Sequence, residues 1–291
     1  MARGPPGVRE CPPAQMPPPL ACTVRDCHAP LVRQDRVWAC PNGHVYDISR
    51  RGYVNLLQPQ DRKSLDAGDS RESVEARAAL IARGIGRHTI DAVVNRARAL
   101  STPGEPLVVA ELGSGSGETL DLLTASMMAT AIGIDLSTAA ATHAARRAPS
   151  VTWVVANADR RLPLLDSSLD LVLSVHARRN AVECHRVLHP GGHLIVAIPG
   201  ADDLIELREA VQGTAVARDR VALLVEEHAA QFEVLDHTTV RHRLELEREA
   251  LVQLLRGTYR GERLSTSPRV QALDSLTVTL ASDVVTFTRR D

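Results

Sequence analysis

Residues 107–120 read LVVAELGSGSGETL, an apolar run closed by an acid and followed by glycines at Gly113, Gly115 and Gly117. A buried strand that runs into such a turn can place its backbone against a ligand, because glycine adopts positive φ and carries no Cβ. The helix expected next, from about Glu118 to Met128, would aim its free N–H groups back at the same spot. The turn therefore reads either as a cofactor cradle or as a sharp corner between strand and helix, and the surrounding pattern has to choose.

That pattern is an alternation. Apolar strands are expected at 107–111, 131–135, 151–155, 169–175 and 193–199, with helical stretches between them. Alternation of this kind predicts βαβ units and a parallel sheet covered on both faces, with ligands at the carboxyl ends of the strands. The second strand ends in GIDLS, which puts Asp135 and Leu136 beside the turn, Asp135 eighteen residues past Gly117. An acid there can accept the hydroxyls of a ribose. The third strand ends in VVANADRRLP, where Asn157 or Asp159 either reaches an adenine edge or caps the next turn.

The amino-terminal part differs. In CTVRDCHAPLVRQDRVWACPNGH, four residues separate Cys22 from Cys27, twelve separate Cys27 from Cys40, and three separate Cys40 from His44. Two knuckles so spaced suit a tetrahedral zinc ion, with LVRQDRVWAC as two short strands joining them. A fragment this small buries little core, so the metal would supply its folding energy. A disulfide pair, or a vestigial module without metal, are the alternatives. Cys11 reads as a bystander among prolines and Cys184 as a core residue on a helix. VYDISRRGYVNLL, residues 45–57, would pack the module onto something else or lie against RNA. A connecting helix should start at Asp69 or Ser70, with Glu72 in its first turn and Ala76, Leu80 and Ile81 on its apolar face, and should end by Gly84. Its arginines read first as a solvated face.

Charge narrows the partners. The net charge is −1, but residues 1–100 carry 15 Lys and Arg against 10 Asp and Glu, which makes this third the basic one. No whole-chain field draws the protein to DNA or a membrane, and no apolar run approaches the roughly 18 residues of a membrane helix. The first twenty residues are proline-rich without the apolar core of a secretory signal. They are expected to be a disordered leader, and the cytoplasm is the expected compartment. The division expected is 1–20 leader, 21–63 zinc module, 64–100 connecting segment and 101–291 main domain.

Glu111 at the strand end selects the cofactor. A carboxylate there would repel a pyrophosphate but suits the cationic sulfonium or ammonium group of S-adenosylmethionine. In motif and order the chain resembles the class I (Rossmann-like) methyltransferases. RVLHPGGHLIVAIPG, residues 186–200, looks like the helix, PGG turn and fifth strand of that α/β fold, and SLTVTLASDVVTFTRR like its final antiparallel strand pair. Zinc module, GYVNLL, GDSRESVEAR and methyltransferase domain together resemble one family, the bacterial 23S rRNA guanine-N1 methyltransferases, over roughly residues 20–291. That family includes tylosin- and macrolide-resistance enzymes of antibiotic producers. The resemblance implies zinc at Cys22, Cys27, Cys40 and His44, and S-adenosylmethionine at Gly113, Gly115, Gly117 and Asp135, to which the turn and strand ends add Glu111, Ser114, Leu136, Asn157, Asp159 and Ser174. It implies 23S rRNA as partner and allows a homodimer without specifying one.

Two segments depart from the family pattern. GIGRHTI, residues 84–90, stands where GHYxPL is usual, and SVHARRN, residues 174–180, where the family tends to read N/I-x-F/Y-A-P. His176 in the second is the candidate base for the guanine N1 proton, or else a packing or hydrogen-bonding residue. Arg178 and Arg179 would join the module and connecting helix in a basic surface, with phosphate contacts carrying affinity because aromatics are only 2% of residues. Three functions fit: the rRNA methyltransferase, a small-molecule methyltransferase with a reshaped pocket, and a non-catalytic zinc-dependent RNA-binding protein.

Overall fold

The computed structural model describes residues 16–61, 68–257 and 264–291. Most of the expected leader and Cys11 lie outside the described residues. The leader's last residues are not loose: Leu20 is fully buried and bridges to Leu164, and Leu165 N–H donates to Pro19 O at 3.0 Å. The expected disorder through residue 20 is therefore corrected, because an apolar side chain placed over the core gains more from burial than it loses in chain freedom.

In chain order the small module holds β1 (Val32–Gln34), β2 (Val37–Ala39), β3 (Val45–Asp47) and β4 (Tyr53–Asn55). The first three form an antiparallel sheet of their own. β4 leaves it and pairs in parallel with a strand of the main domain, so residues 45–57 pack the module onto the larger sheet. Next come α1 (Arg71–Ala82), capped by Ser70, whose hydroxyl accepts from Ser73 N–H, and α2 (Arg87–Leu100). Ala76 and Leu80 are buried, as the apolar face of α1 requires.

The main domain continues with β5 (Leu107–Leu112), α3 (Glu118–Ser126), β6 (Ala129–Asp135), α4 (Thr138–Arg147), β7 (Thr152–Val155), β8 (Leu169–Val175), α5 (Ala181–Val187) and β9 (Leu188–Pro199). It ends with α6 (Ile205–Gln212), α7 (Val221–His228), β10 (Phe232–Glu247), α8 (Arg248–Arg256), α9 (Pro268–Gln271) and β11 (Ser275–Arg289). Its strands join with β4 in an eight-stranded sheet of order β10-β11-β9-β8-β5-β6-β7-β4. Only β10 and β11 run antiparallel to their neighbours. β5 is buried along its whole length, as a Val- and Leu-rich strand flanked on both sides in a helix-covered sheet should be.

Two elements differ from expectation. The segment from Ser275 is one 15-residue strand rather than a strand pair, and its partner is β10. SLTVTLASDVVTFTRR contains no glycine, proline or asparagine to turn on, so it continues straight through Ser282 and Asp283. The PGG sequence lies within β9, where the register against β8 shifts and Gly191 takes φ +79. The expected turn is thus a bulge.

The core joins module and domain. One apolar cluster contains Leu20, Cys22, Trp38, Val54 and Leu56 together with Leu112, Ile134 and Val154. Cys184 is fully buried on α5, and burial pushes its thiol up to about 12, as an inert core residue requires.

Candidate active site and metal centre

The module's knuckles bring Cys22, Cys27, Cys40 and His44 together, with their donor atoms all within 4.8 Å of one another. Cys27 and Cys40 sulfurs stand 3.8 Å apart, and His44 Nδ1 lies 3.4 Å from both Cys22 and Cys40 sulfurs. With zinc–sulfur bonds of about 2.3 Å, the edge of a tetrahedron is about 3.8 Å, so this donor set fits zinc. The cysteines are free, which sets the disulfide alternative aside. Supporting groups fix the ligands: Asn42 Nδ2 donates to Cys27 Sγ at 3.2 Å, and Tyr46 Oη lies 3.1 Å from Cys22 Sγ while accepting from Thr23 N–H. The Ala29 backbone, then Asn42, pull the Cys27 thiol down to about 6, towards the thiolate that a metal needs.

At the glycine turn the backbone is as unusual as the sequence. Gly113, Gly115 and Gly117 all have positive φ. A Cβ on Gly113 would stand 2.4 Å from that of Ala177, so the SVHARRN segment rests directly on the turn. A Cβ on Gly117 would stand 2.8 Å from the ring of Trp153, which also covers Gly133 of β6. Trp153 is fully buried, donates to Ala148 O at 2.9 Å, and supports the turn from beneath.

Three carboxylates surround this turn. Glu111 is 2% exposed, its Oε2 has no hydrogen-bond partner, and burial pushes its pKa up to about 8. Asp135 accepts from Gly115 N–H at 2.9 Å and Ser137 N–H at 2.8 Å, and desolvation still holds it up at about 6. Glu118 is neutralised by Arg147 at 3.0 Å and accepts from Ser116 Oγ. Buried acids with an orphaned oxygen are costly unless a cation arrives. Ser114 Oγ is also buried without a partner. These residues fit the methionine end of S-adenosylmethionine, whose charge would relieve Glu111.

The other expected site residues separate. Leu136 is half-buried beneath the chain at Gly68, whose Cβ would meet the Leu136 carbonyl carbon at 3.0 Å. Asn157 has both amide ends engaged: its nitrogen donates to Asp61 O and its oxygen accepts from Asp159 N–H, so it caps the turn. The Asp159 carboxylate faces Arg178 at 3.2 Å. Ser174 is fully buried and its hydroxyl donates to Ala177 O, so it acts on the loop from within rather than from an open wall. Arg179 is not free for a surface role: it donates to His228 Nε2 and Ala177 O.

His176 is solvent-facing but flanked by enough protein to hold its pKa down to about 4, and its backbone takes φ +51. Ser282 Oγ lies 2.9 Å from His176 Nε2 and accepts from Thr89 Oγ1 at 2.9 Å. The Ser282 hydroxyl can donate to Nε2 or accept from its N–H, so this bond fixes the ring's position whichever nitrogen carries the proton. The candidate base is therefore anchored through Nε2 by Ser282. The two segments that depart from the family pattern meet here, one through Thr89 and one through His176. Sequence reasoning missed both Ser282 and Trp153. Only the glycine inside β6 signalled the latter, since a mid-strand glycine marks a close approach.

Known proteins share both parts of this chain. A family model described as "Methyltransferase domain" matches residues 110–196, and one described as "RlmA, N-terminal", a zinc ribbon, matches residues 21–65. The 23S rRNA (guanine(748)-N(1))-methyltransferase of Streptomyces fradiae is 36% identical over 226 residues, 77% of this chain and 80% of that protein. A Micromonospora griseorubida protein assigned provisionally as a 23S rRNA (guanine-N(1)-)-methyltransferase is 34% identical over 82% of this chain and 85% of its own length. Among solved structures, the YcgJ protein of Bacillus subtilis superposes with a TM-score of 0.51 at 15% identity, over 70% of this chain and 99% of that one, which shows a shared fold.

Proposed function

The chain belongs to the 23S rRNA guanine-N1 methyltransferase family, and from that membership we propose that it transfers a methyl group to N1 of a guanine in 23S rRNA. The observation that carries the reading is the buried Glu111 carboxyl with one unpartnered oxygen under a three-glycine turn, on the sheet to which the Cys3His module is docked. S-adenosylmethionine, when bound, supplies a methyl group on a positively charged sulfur. Glu111, ionised when the cationic cofactor binds, and Asp135 would face the cofactor at the turn, with Asp135 as the residue for the ribose and Asp159 as the candidate for the adenine end. Gly113, Gly115 and Gly117 admit the cofactor's close approach.

Transfer requires the acceptor nitrogen in line with the bond that breaks, so the chain's main contribution is alignment. Guanine N1 also gives up its proton, to solvent water, as it gains the methyl group, and the sulfur keeps the electron pair of the broken bond. His176 is neutral at working pH, and in the tautomer in which Ser282 donates to Nε2 its Nδ1–H suits the guanine carbonyl oxygen: a donor there stabilises the negative charge that builds on the base as the proton leaves. Ser282, itself bonded to Thr89, holds the ring in place for that role.

The module and the basic amino-terminal third give the RNA its second point of contact, and a ribosomal substrate puts the protein in the cytoplasm. No helix among the described residues is long and apolar enough to cross a membrane. Protection of the ribosome from a drug is the proposed consequence, read as a raised inhibitory concentration when the gene is expressed in a sensitive host. The deciding experiment incubates the protein with methyl-labelled S-adenosylmethionine and 23S rRNA and maps the label. Label on a guanine N1 is expected. Label only in a small-molecule pool, or none at all, overturns the proposal.

A further inference from the structure

We infer that the cavity at the seam of zinc module, α1 and α4 is a seat for a backbone phosphate of the RNA substrate. It measures about 130 Å³ and is lined by Arg51, Arg71, Glu75, Thr142, His143 and Arg146. Three guanidinium groups thus face one carboxylate, and that carboxylate is already paired, Glu75 with Arg71 at 2.7 Å. The side chains of Arg51 and Arg146 have no ion pair among the described residues. Beside them His143 Nδ1 is buried with no hydrogen-bond partner. A buried polar nitrogen is costly when unpaired, and an anionic oxygen between two unpaired guanidiniums would satisfy it.

The fold holds these groups in place. The Arg51–Gly52 turn lies against α4 closely enough that a Cβ on Gly52 would stand 3.2 Å from that of Ala145. α1 is tied to α4 where Ser137 Oγ donates to Asp69 O at 2.8 Å. Ser137 N–H in turn donates to Asp135, so the cavity lies on the helix that begins at the cofactor acid. His143 is six residues along that helix, roughly 9 Å of axial rise from Ser137. Two arginines from separate elements beside an imidazole whose Nδ1 is buried suit a tetrahedral anion, which accepts from several directions at once. A phosphodiester of the bound strand supplies such an anion, at a seat on the same helix that begins at the cofactor acid.

The inference rests on the RNA-substrate reading and is tested apart from it. The wild type and the Arg51→Ala/Arg146→Ala double variant are titrated with a 23S rRNA fragment over a salt series, and with S-adenosylmethionine by calorimetry. Loss of one phosphate contact predicts RNA binding weakened about tenfold and a log–log salt slope shallower by about 0.7–0.9, with cofactor affinity and melting temperature unchanged. An unchanged slope overturns the proposal. Inorganic phosphate is the second probe, followed through the His143 ring nitrogen signals by NMR. A saturable shift, absent in the double variant, is expected. A shift with phosphate alongside an unchanged RNA slope means a free-anion site and also overturns it. If the wild type methylates no RNA, the function fails first, and the salt slope still judges the seat.

Discussion

A carboxyl group held near pKa 8 with one oxygen unpartnered is an unstable arrangement waiting for a partner, and Glu111 is that group. The sign of its effect on stability follows from linkage. Its unfolded pKa is the ordinary 4.5 and its folded value about 8. Between these the folded chain keeps a proton that the unfolded chain has released, so the cofactor-free fold loses stability as pH rises from 4.5 to 8, by at most about 1.4 kcal/mol per pH unit. Glu111→Gln removes the titration while keeping the volume. The variant should melt like the wild type near pH 5 and above it near pH 8, yet bind S-adenosylmethionine at least tenfold more weakly. Equal melting temperatures at pH 8, or unchanged cofactor affinity, would refute the assignment. In the wild type, affinity for the cationic cofactor should rise with pH up to about 8, because binding favours the ionised acid. Glu111 was legible in the sequence because an acid at a strand end before a glycine turn can only face that turn. Trp153 and Ser282 were not, since their roles depend on which distant glycine or histidine the fold brings to them.

At the scale of elements, β11 does more than close the sheet. Its unbroken run carries Ser282 to the end of β8 and to the start of α2, where it joins His176 to Thr89. Alternation and strand order were legible because apolar runs and turn residues repeat at βαβ spacing. The length of β11 was legible in principle from its lack of turn residues, but family resemblance suggested a pair. The hydroxyl contact was hidden, because Ser282 and Thr89 are 193 residues apart. Ser282→Ala should leave cofactor affinity unchanged and lower kcat for RNA methylation by about 10- to 100-fold, the order of loss that follows from a misplaced reacting group. Ser282→Thr keeps the hydroxyl on a β-branched strand residue and should restore most of the rate. Loss in both variants would mean that packing at this position, rather than the hydrogen bond, carries the effect. A pH–rate profile separates the cases further, since losing the hydrogen bond at Nε2 shifts the apparent pKa of the ring in the alanine variant only.

For the whole molecule the question is whether module and domain are one folding unit. From the sequence the module seemed too small to fold without metal, an inference drawn from its length alone. What its sequence could not display is β4 in parallel register with β7, Tyr53 opposite Trp153 and Asn55 opposite Val155, or the shared cluster in which Trp38 and Val54 meet Leu112. Burying Trp38, Val54 and Leu56 against the domain is worth several kcal/mol at about 25 cal/mol per Å², so the sheet holds the module from one side while zinc holds it from the other. Zinc-loaded protein should therefore unfold in one transition. In a Trp153→Phe variant Trp38 is the remaining tryptophan, and its emission should melt at the same temperature as the far-ultraviolet circular dichroism. Chelation of the metal should split the two, with Trp38 reporting an earlier loss of the knuckles while the sheet melts near its original midpoint. Because Glu111, Asp135 and the glycine turn belong to the sheet, the zinc-free protein should still bind S-adenosylmethionine within about threefold of the loaded form but methylate RNA far more slowly. An early Trp38 transition with zinc present would show that the β4 contact does not couple the units. Complete loss of cofactor binding on chelation would show the opposite error, that the metal sustains the catalytic sheet itself.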